Sequence, residues 1–416
     1  MSFIEQVKKV NRAQQEFAFS TGAQRNRLLK LLAESILKNQ KQILTANLRD
    51  MRNFENGSPM KDRSVLNAAR IKALAASLRA VAKLPDPSNR VLEQKKLANG
   101  LALRKVSVPL GTVAVIYESR PNVTVDIAAL AFKSGNGVVL KGGTESYETN
   151  KQLVQIIKQV LAKSGFSWDL IYLINPADNW KKELFTARGL VDVIIPRGGT
   201  GLINFVRKNS EIPVIETGAG VCHTFVDEKF DLSIAAKIIV NAKTQRPAVC
   251  NSLDTLVVHK TAEKKLLSAL AAKLSEFKVE IRADRPAFSI LKKYYPGELL
   301  KLASASDFGH EFLSLVMSIR TVKTFAEGLE FVKAKTSHHS EAILTRDANH
   351  ARTFLSEVDA AVVYHNASTR FTDGGEFGMG AEVGISTQKL HVRGPMGAEA
   401  LTTSKWQAYG RGQTRG

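Results

Sequence analysis

Cysteine is scarce in this chain: Cys222 and Cys250 are the two in 416 residues. Two thiols give no disulfide framework, and a reducing cytoplasm is the expected compartment. The Asn-x-Ser/Thr triplets at Asn122 and Asn366 then carry no glycan meaning. There is no C-x-x-C, and His338-His339 has no third ligand at a usual spacing, so no metal site is expected. Nothing approaches about 18 uninterrupted apolar residues, so neither a transmembrane helix nor a membrane partner is expected. The opening stretch, MSFIEQVKKVNRAQQEF, is charged and amphipathic and lacks the apolar core of a signal peptide. Acidic residues are also few, 39 against 59 Lys and Arg, for a formal charge of +20. Such a balance suits nucleic acid. The basic residues are spread along the chain, however, without a block or an aromatic-rich RNA motif. A solvated basic surface is therefore expected, and no nucleic-acid partner. A positive field would also speed encounter with an anionic substrate and cofactor.

The length is too great for one ordinary core, so two or three domains are expected. Residues up to about 95 read as helical, because Leu28, Leu29, Leu32, Ile36 and Leu37 recur at helical spacing, as do Ile71, Leu74, Leu78 and Val81. LPDPSNR (84–90) breaks that run. LALRKVSVPLGTVAVIY (101–117) predicts an extended arm, a kink at Pro109 and Gly111, and a buried strand over 112–117. Apolar strands then alternate with helices. Strands are predicted at 137–143, 170–174, 191–197 and 212–220, with helices near 145–163 and 179–188 and another after the glycines at 198–201. A second alternating set follows: helix 231–245, strand 253–259, helix 262–275, strand 341–345, helix 348–357 and strand 359–364. Such alternation means parallel sheets with helices on both faces. The glycine-rich stretch 366–388 reads as a loop packed closely on a ligand or another backbone, and the tail beyond Trp406 as loose.

Gly198-Gly199-Thr200-Gly201 follows a strand and opens a helix, a junction whose N–H groups suit a phosphate. It is not G-x-G-x-x-G, and tight strand–helix packing explains it nearly as well. Lys141-Gly142-Gly143 has the same architecture one strand earlier. Two readings are open for Cys250: a small buried hydrophobe, the commoner fate of a free cysteine, or a nucleophile at a loop after Pro247, its thiolate favoured by Arg246. Cys222, on an apolar run, reads as core, and so does His223 beside it. Glu216 ends an apolar strand, where α/β enzymes place functional groups. Glu311 and Asp373 are weaker candidates of that kind.

Several segments together resemble the gamma-glutamyl phosphate reductase (glutamate-5-semialdehyde dehydrogenase) family: VPLGTVAVIYESRPNVTVDIAALAFKSGNGVVLKGG (108–143), VDVIIPRGGTGLI (191–203), VIETGAGVCHTFVD (214–227), NAKTQRPAVCNSLDTLVVH (241–259) and NASTRFTDGGEFGMGAEVGISTQKLHVRGPMGAEALTTSKW (366–406). The resemblance implies the aldehyde dehydrogenase fold. In it, 1–96 and 113–217 would form the cofactor domain and 218–385 the catalytic domain. Residues 97–112 and 386–416 would form an oligomerisation arm and tail, so a homo-oligomer, dimer or tetramer, is expected. The resemblance also implies NADPH-dependent reduction of L-glutamyl 5-phosphate to glutamate 5-semialdehyde, in proline biosynthesis. Cys250 would be the nucleophile, forming a thioester, and Asn122 the side-chain donor to the oxyanion. Glu216 matches the acid that activates water in hydrolytic dehydrogenases, and here is expected to orient the thiol or substrate. Lys141 matches the adenosine-ribose lysine and Gly142 its glycine neighbour. Gly198, Gly199 and Thr200 match the pyrophosphate turn, and Glu311 the nicotinamide-ribose glutamate. Arg120, Arg246 and Arg370 are candidates for the substrate's carboxylate and phosphate, and Asp373 for its ammonium group. The labile acyl phosphate is compatible with functional coupling to a glutamate 5-kinase. Reduction of another acyl donor, such as an acyl-CoA, is the rival enzymatic reading.

Overall fold

The computed structural model describes residues 2–54, 59–118 and 120–415. They fall into two compact units, one of 1–217, 377–384 and 395–416, the other of 218–376 and 385–394.

The first unit begins with helices α1 (Phe3–Phe17), α2 (Gly22–Lys38), α3 (Gln40–Met51), α4 (Pro59–Ser64) and α5 (Ala68–Lys83). The helical spacing read from the sequence becomes packing: Leu28, Leu29, Leu32 and Ile36 of α2 and Ile71, Leu74, Leu78 and Val81 of α5 are all buried, and α2 packs on α5. Thr21 caps α2 in a reciprocal box with Gln24. Next come β1 (Val91–Lys96), β2 (Ala102–Pro109) and β3 (Thr112–Tyr117). The kink before β3 is Gly111, whose φ of +124° favours glycine. A Cβ there would lie 2.0 Å from Asp192 Oδ2, the oxygen that accepts the Thr112 N–H. The rest of the unit alternates: α6 (Pro121–Lys133), β4 (Gly137–Lys141), α7 (Tyr147–Lys163), β5 (Ile171–Leu173), α8 (Trp180–Phe185), β6 (Val193–Arg197) and α9 (Thr200–Asn209). The sheet order is β5-β4-β3-β6, every pair parallel, and β3 is buried along its whole length, as a strand covered on both faces must be.

The second unit holds β7 (Cys222–Val226), α10 (Leu232–Thr244), β8 (Leu253–His259), α11 (Lys260–Glu276), β9 (Glu280–Ala283), α12 (Arg285–Leu291), β10 (Leu300–Leu302), β11 (Val316–Val322), α13 (Phe325–Lys335), β12 (Ser340–Leu344), α14 (Ala348–Glu357) and β13 (Val362–His365). Its sheet runs β10-β9-β11-β8-β7-β12-β13, again parallel throughout. One face packs Leu266, Leu270 and Leu291, the other Leu329, Val332 and Phe354. Short strands β14 (Ile385–Ser386) and β15 (Gly394–Pro395) follow, and then β16 (Thr402–Tyr409). β16 pairs antiparallel with β2, completing the three-stranded sheet β1-β2-β16 of the first unit.

Three expectations change. The predicted strand 212–220 forms no ladder: Val214 makes one isolated bridge to Ile194, since Pro213 has no N–H to give. The tail beyond Trp406 is ordered as strand through Tyr409, because it pairs with β2 out to Ala102. The span 276–340, unread in the sequence, contributes three strands and two helices.

Candidate active site

In the first unit the candidate residues gather at the carboxyl edge of the sheet. Lys141 ends β4 and Gly142 follows it; Arg197 ends β6 and leads to Gly198, Gly199 and Thr200; Arg120 and Asn122 open α6 just after β3. The chain leaves β3 toward β4, while β6 lies on the other side, so this edge is a topological switch point. Gly199 is the N-cap of α9, and its N–H donates to Glu118 Oε2 at 3.1 Å. A phosphate seated there would displace that carboxylate. Beyond Gly199 and Gly201 the space is open, with no atom within 4 Å of a built Cβ. Lys141 Nζ donates to the Gly142 carbonyl at 2.7 Å and lies over the Trp180 ring. Burial lowers its pKa, against the pull of Glu145. A helix N-terminus whose N–H is held by a side-chain carboxylate, a lysine and an aromatic ring suit a dinucleotide. Asn122 Nδ2 donates to Asp126 Oδ2, one turn on, at 3.2 Å. Glu216 sits 3.9 Å from Arg207.

In the second unit Cys250 lies in the turn that enters the amino end of β8, with its side chain partly exposed. Its backbone is tightly backed. A Cβ on Gly220 would come within 1.6 Å of the Cys250 carbonyl oxygen, and the Cys222 thiol donates to that oxygen at 3.2 Å. Cys222 is fully buried, and burial drives its thiol well above the usual range, as expected of core. His223 is core too, its Nδ1 3.0 Å from Glu341 with neither side chain exposed. Glu311 Oε1 accepts the Gly220 N–H at 3.0 Å.

Beside Cys250, the Asn251 amide bridges to the glycine-rich stretch. Its Nδ2 donates to the Thr372 carbonyl at 2.8 Å, and its Oδ1 accepts from the Arg370 guanidinium. Arg370 Nε donates to Gln245 Oε1 at 3.0 Å. Burial lowers the Arg370 pKa; Asp373 and the Cys250 thiol act the other way, and Arg246 adds to the lowering. Asn241, Gln245, Arg370, Phe371, Asp373 and Glu376 line a cavity of about 160 Å³. Asp373 Oδ1 accepts the Gly375 N–H at 2.8 Å, so half of its carboxylate shapes the turn. Arg370 and Asp373 therefore come together; Arg246 is exposed on the same loop as Cys250. Sequence reasoning missed Gln245, Asn251 and Glu376. Adjacency to Cys250 was the available signal for Asn251, and nothing in the sequence marks the other two.

Among the described residues no helix is long and apolar enough to cross a membrane. Residues 2–288 match the model of the aldehyde dehydrogenase family. Gamma-glutamyl phosphate reductase of Pelodictyon phaeoclathratiforme is 49% identical over 416 residues, covering 100% of this chain and 99% of that protein. The enzyme of that name from Legionella pneumophila (strain Corby) is 48% identical over 415 residues, with 100% and 99% covered. The crystal structure of gamma-glutamyl phosphate reductase from Thermotoga maritima superposes with a TM-score of 0.94 at 39% identity, over 100% of both chains. An acetylating aldehyde dehydrogenase from Geobacillus thermoglucosidasius, 16% identical with a TM-score of 0.71 over 99% and 97%, shares the fold.

Proposed function

This chain belongs to the gamma-glutamyl phosphate reductases of the aldehyde dehydrogenase family, and we propose that its reaction, reduction of L-glutamyl 5-phosphate to L-glutamate 5-semialdehyde in proline biosynthesis, runs through a thioester on Cys250. The observation that carries this route is the contrast between the thiols: Cys222 is buried and Cys250 partly exposed, with Arg370 in electrostatic reach of it. The Cys250 thiolate attacks the acyl carbon, and phosphate leaves with its bonding electrons. The nicotinamide cofactor supplies the hydride when bound. The resulting thiohemiacetal expels the thiolate and releases the aldehyde.

Both tetrahedral species carry an oxyanion. Asn122 and the Cys250 N–H are assigned as its donors, each worth on the order of 3 kcal/mol of barrier. Arg246 and Arg370 are assigned to the phosphate and the α-carboxylate, with Arg120 a further candidate, and Asp373 with Glu376 to the ammonium group. Glu216 is assigned an orienting role, because a water-activating base would hydrolyse the thioester. Lys141, Gly142 and the turn Gly198–Thr200 are assigned to the dinucleotide and Glu311 to its nicotinamide ribose, with NADPH as the preferred form. The sheet β1-β2-β16 is assigned to homo-oligomerisation, since Val91, Leu92, Trp406 and Tyr409 on it are exposed and both outer strands have a free edge. A cytoplasmic location and coupling to a glutamate 5-kinase suit a labile acyl phosphate.

The reverse reaction tests this. Glutamate 5-semialdehyde, phosphate and NADP+ are expected to yield NADPH only when phosphate is present. Cys250→Ala is expected to abolish it and Cys222→Ala to retain most of it; the opposite pattern overturns the assignment.

A further inference from the structure

The second unit carries another cavity, of about 590 Å³, at the end of its sheet remote from Cys250. Cys250 precedes the amino end of β8, whereas this cavity is lined by Lys260, just after β8, by Asp284 and Arg285, just after β9, and by Arg320 and Thr321, near the end of β11. The topology explains why it opens there. β9 and β11 are neighbours, but the chain leaves β9 for β10 on one side and leaves β11 for β12 on the other. The helices that follow lie on opposite faces: Leu291 of α12 packs in one core cluster and Val332 of α13 in the other. Adjacent strands whose connections diverge leave a crevice at their carboxyl ends, the usual place for a ligand in an open parallel sheet, and the volume is in the range of small-molecule sites.

The polar groups inside are unevenly satisfied. Glu263, 7% exposed, accepts one hydrogen bond, from Thr321 Oγ1 at 2.9 Å. The same hydroxyl lies 3.1 Å from Asp284 Oδ1, and one hydroxyl proton cannot serve two carboxylates. Asp284 is provided for, accepting the Thr321 N–H at 2.6 Å and the Ala287 N–H at 3.1 Å. The hydroxyl therefore falls to Glu263, which has one hydrogen-bond donor for two oxygens and the Lys260 cation in electrostatic reach. At the rim the imbalance has the opposite sign. Glu327 accepts the Lys323 N–H at 2.7 Å and lies 3.8 Å from Arg320, while among the described residues the exposed side chains of Arg285 and Lys323 make no ion pair. Pro286, Leu302 and Phe308 supply apolar wall.

We propose that this crevice binds a free α-amino acid, with the ammonium group on Glu263 and the carboxylate on the Arg285–Lys323 rim. An ammonium group supplies the hydrogen bonds Glu263 lacks, and a carboxylate answers cations that have no partner. A simple anion would satisfy the rim and leave Glu263 as it is. The site is separate from the catalytic thiol, and the inference stands whatever the reaction at Cys250.

Isothermal titration of the full chain with each common protein amino acid in turn tests it, with acetate and methylammonium as half-molecule controls. At least one amino acid is expected to bind saturably, one per chain. Glu263→Gln and the rim variant Arg285→Glu are each expected to weaken that binding by roughly tenfold or more, with kcat and both KM values of the reaction unchanged. Arg370→Ala is expected to leave it intact. Arg285 is exposed, so its variant reads out the site even where Glu263→Gln folds poorly. Absence of saturable binding by any amino acid overturns the proposal. So does binding that survives both crevice variants, or binding matched by acetate alone.

Discussion

Lys243 Nζ lies 3.9 Å from Asp254 Oδ1, and the two side chains are 0% and 2% exposed. The carboxylate also accepts two backbone N–H groups, Cys222 at 3.4 Å and Phe312 at 3.1 Å. Cys222 backs the Cys250 carbonyl, and Phe312 follows Glu311, which holds Gly220. One buried acid thus ties the strand behind Cys250 to the loop that carries Glu311.

Burial lowers Lys243 and raises Asp254, so desolvation works against both charges and each depends on the other. Asp254→Asn is expected to cost roughly 3–5 kcal/mol, because it strands a buried ammonium group. The double variant Lys243→Met, Asp254→Leu is expected to regain most of that stability but little activity, since the two N–H groups have lost their acceptor. Urea unfolding and kcat measured on all three chains separate these effects. A double variant no more stable than the single one refutes the pairing argument.

Gly220→Ala probes the backing of Cys250 directly. The added methyl would overlap the Cys250 carbonyl oxygen, 1.6 Å from the ideal Cβ position, so the Cys250 loop has to shift. A displacement of about 1 Å at a reacting group costs on the order of a hundredfold in rate. The expected result is a kcat lower by about that factor, with NADP+ binding by fluorescence titration weakened far less. An unchanged kcat would show that the loop yields without moving the thiol.

Much of this was legible in the sequence, and the illegible parts have physical causes. Strand β8 and helix α14 are legible at their observed limits because LDTLVVH is rich in strand-forming residues directly after a turn and Asp347 caps the start of α14. The region 276–340 was not, because its strands β9 and β10 are four and three residues long and their charged side chains pair with one another. Glu280 accepts from Arg282 Nε at 2.8 Å and from Lys301 at 2.6 Å, so an edge pattern reads as loop. Cys250 and Asn122 came from motif resemblance. The Arg370–Asn251 contact joins positions 119 residues apart, which no local pattern encodes.

That contact frames a third prediction. Arg370 uses separate arms of its guanidinium on Gln245 and Asn251, and lysine has no planar fork with which to do both. Arg370→Lys is expected to raise KM for glutamate 5-semialdehyde by roughly tenfold to a hundredfold, the worth of a charged hydrogen bond, with KM for NADP+ little changed. An equal rise in both KM values would mean that the substitution disturbs the unit as a whole and not the substrate's end of the site.

His339 gives a prediction about acid. Its Nδ1 donates to Ser340 Oγ at 2.8 Å, that hydroxyl donates to Thr372 Oγ1 at 2.7 Å, and its Nε2 has no hydrogen-bond partner among the described residues. Burial pushes the imidazole from 6.5 down to about 4, so the folded chain holds it neutral while the unfolded chain charges it. Between those two values the unfolded state binds more protons, and stability must fall as pH drops through that window. The loss from this one group is about 2 kcal/mol at pH 5 and negligible at about pH 7.5. His339→Gln keeps a donor to Ser340 and removes the titration. Its urea-unfolding free energy is expected to change less between those two pH values than that of the unaltered chain, by about 2 kcal/mol. Other buried acids whose pKa burial raises, Asp254 and Glu263 among them, are common to both chains and cancel in the comparison. Equal pH dependence in the two chains would mean that His339 is protonated in the folded state.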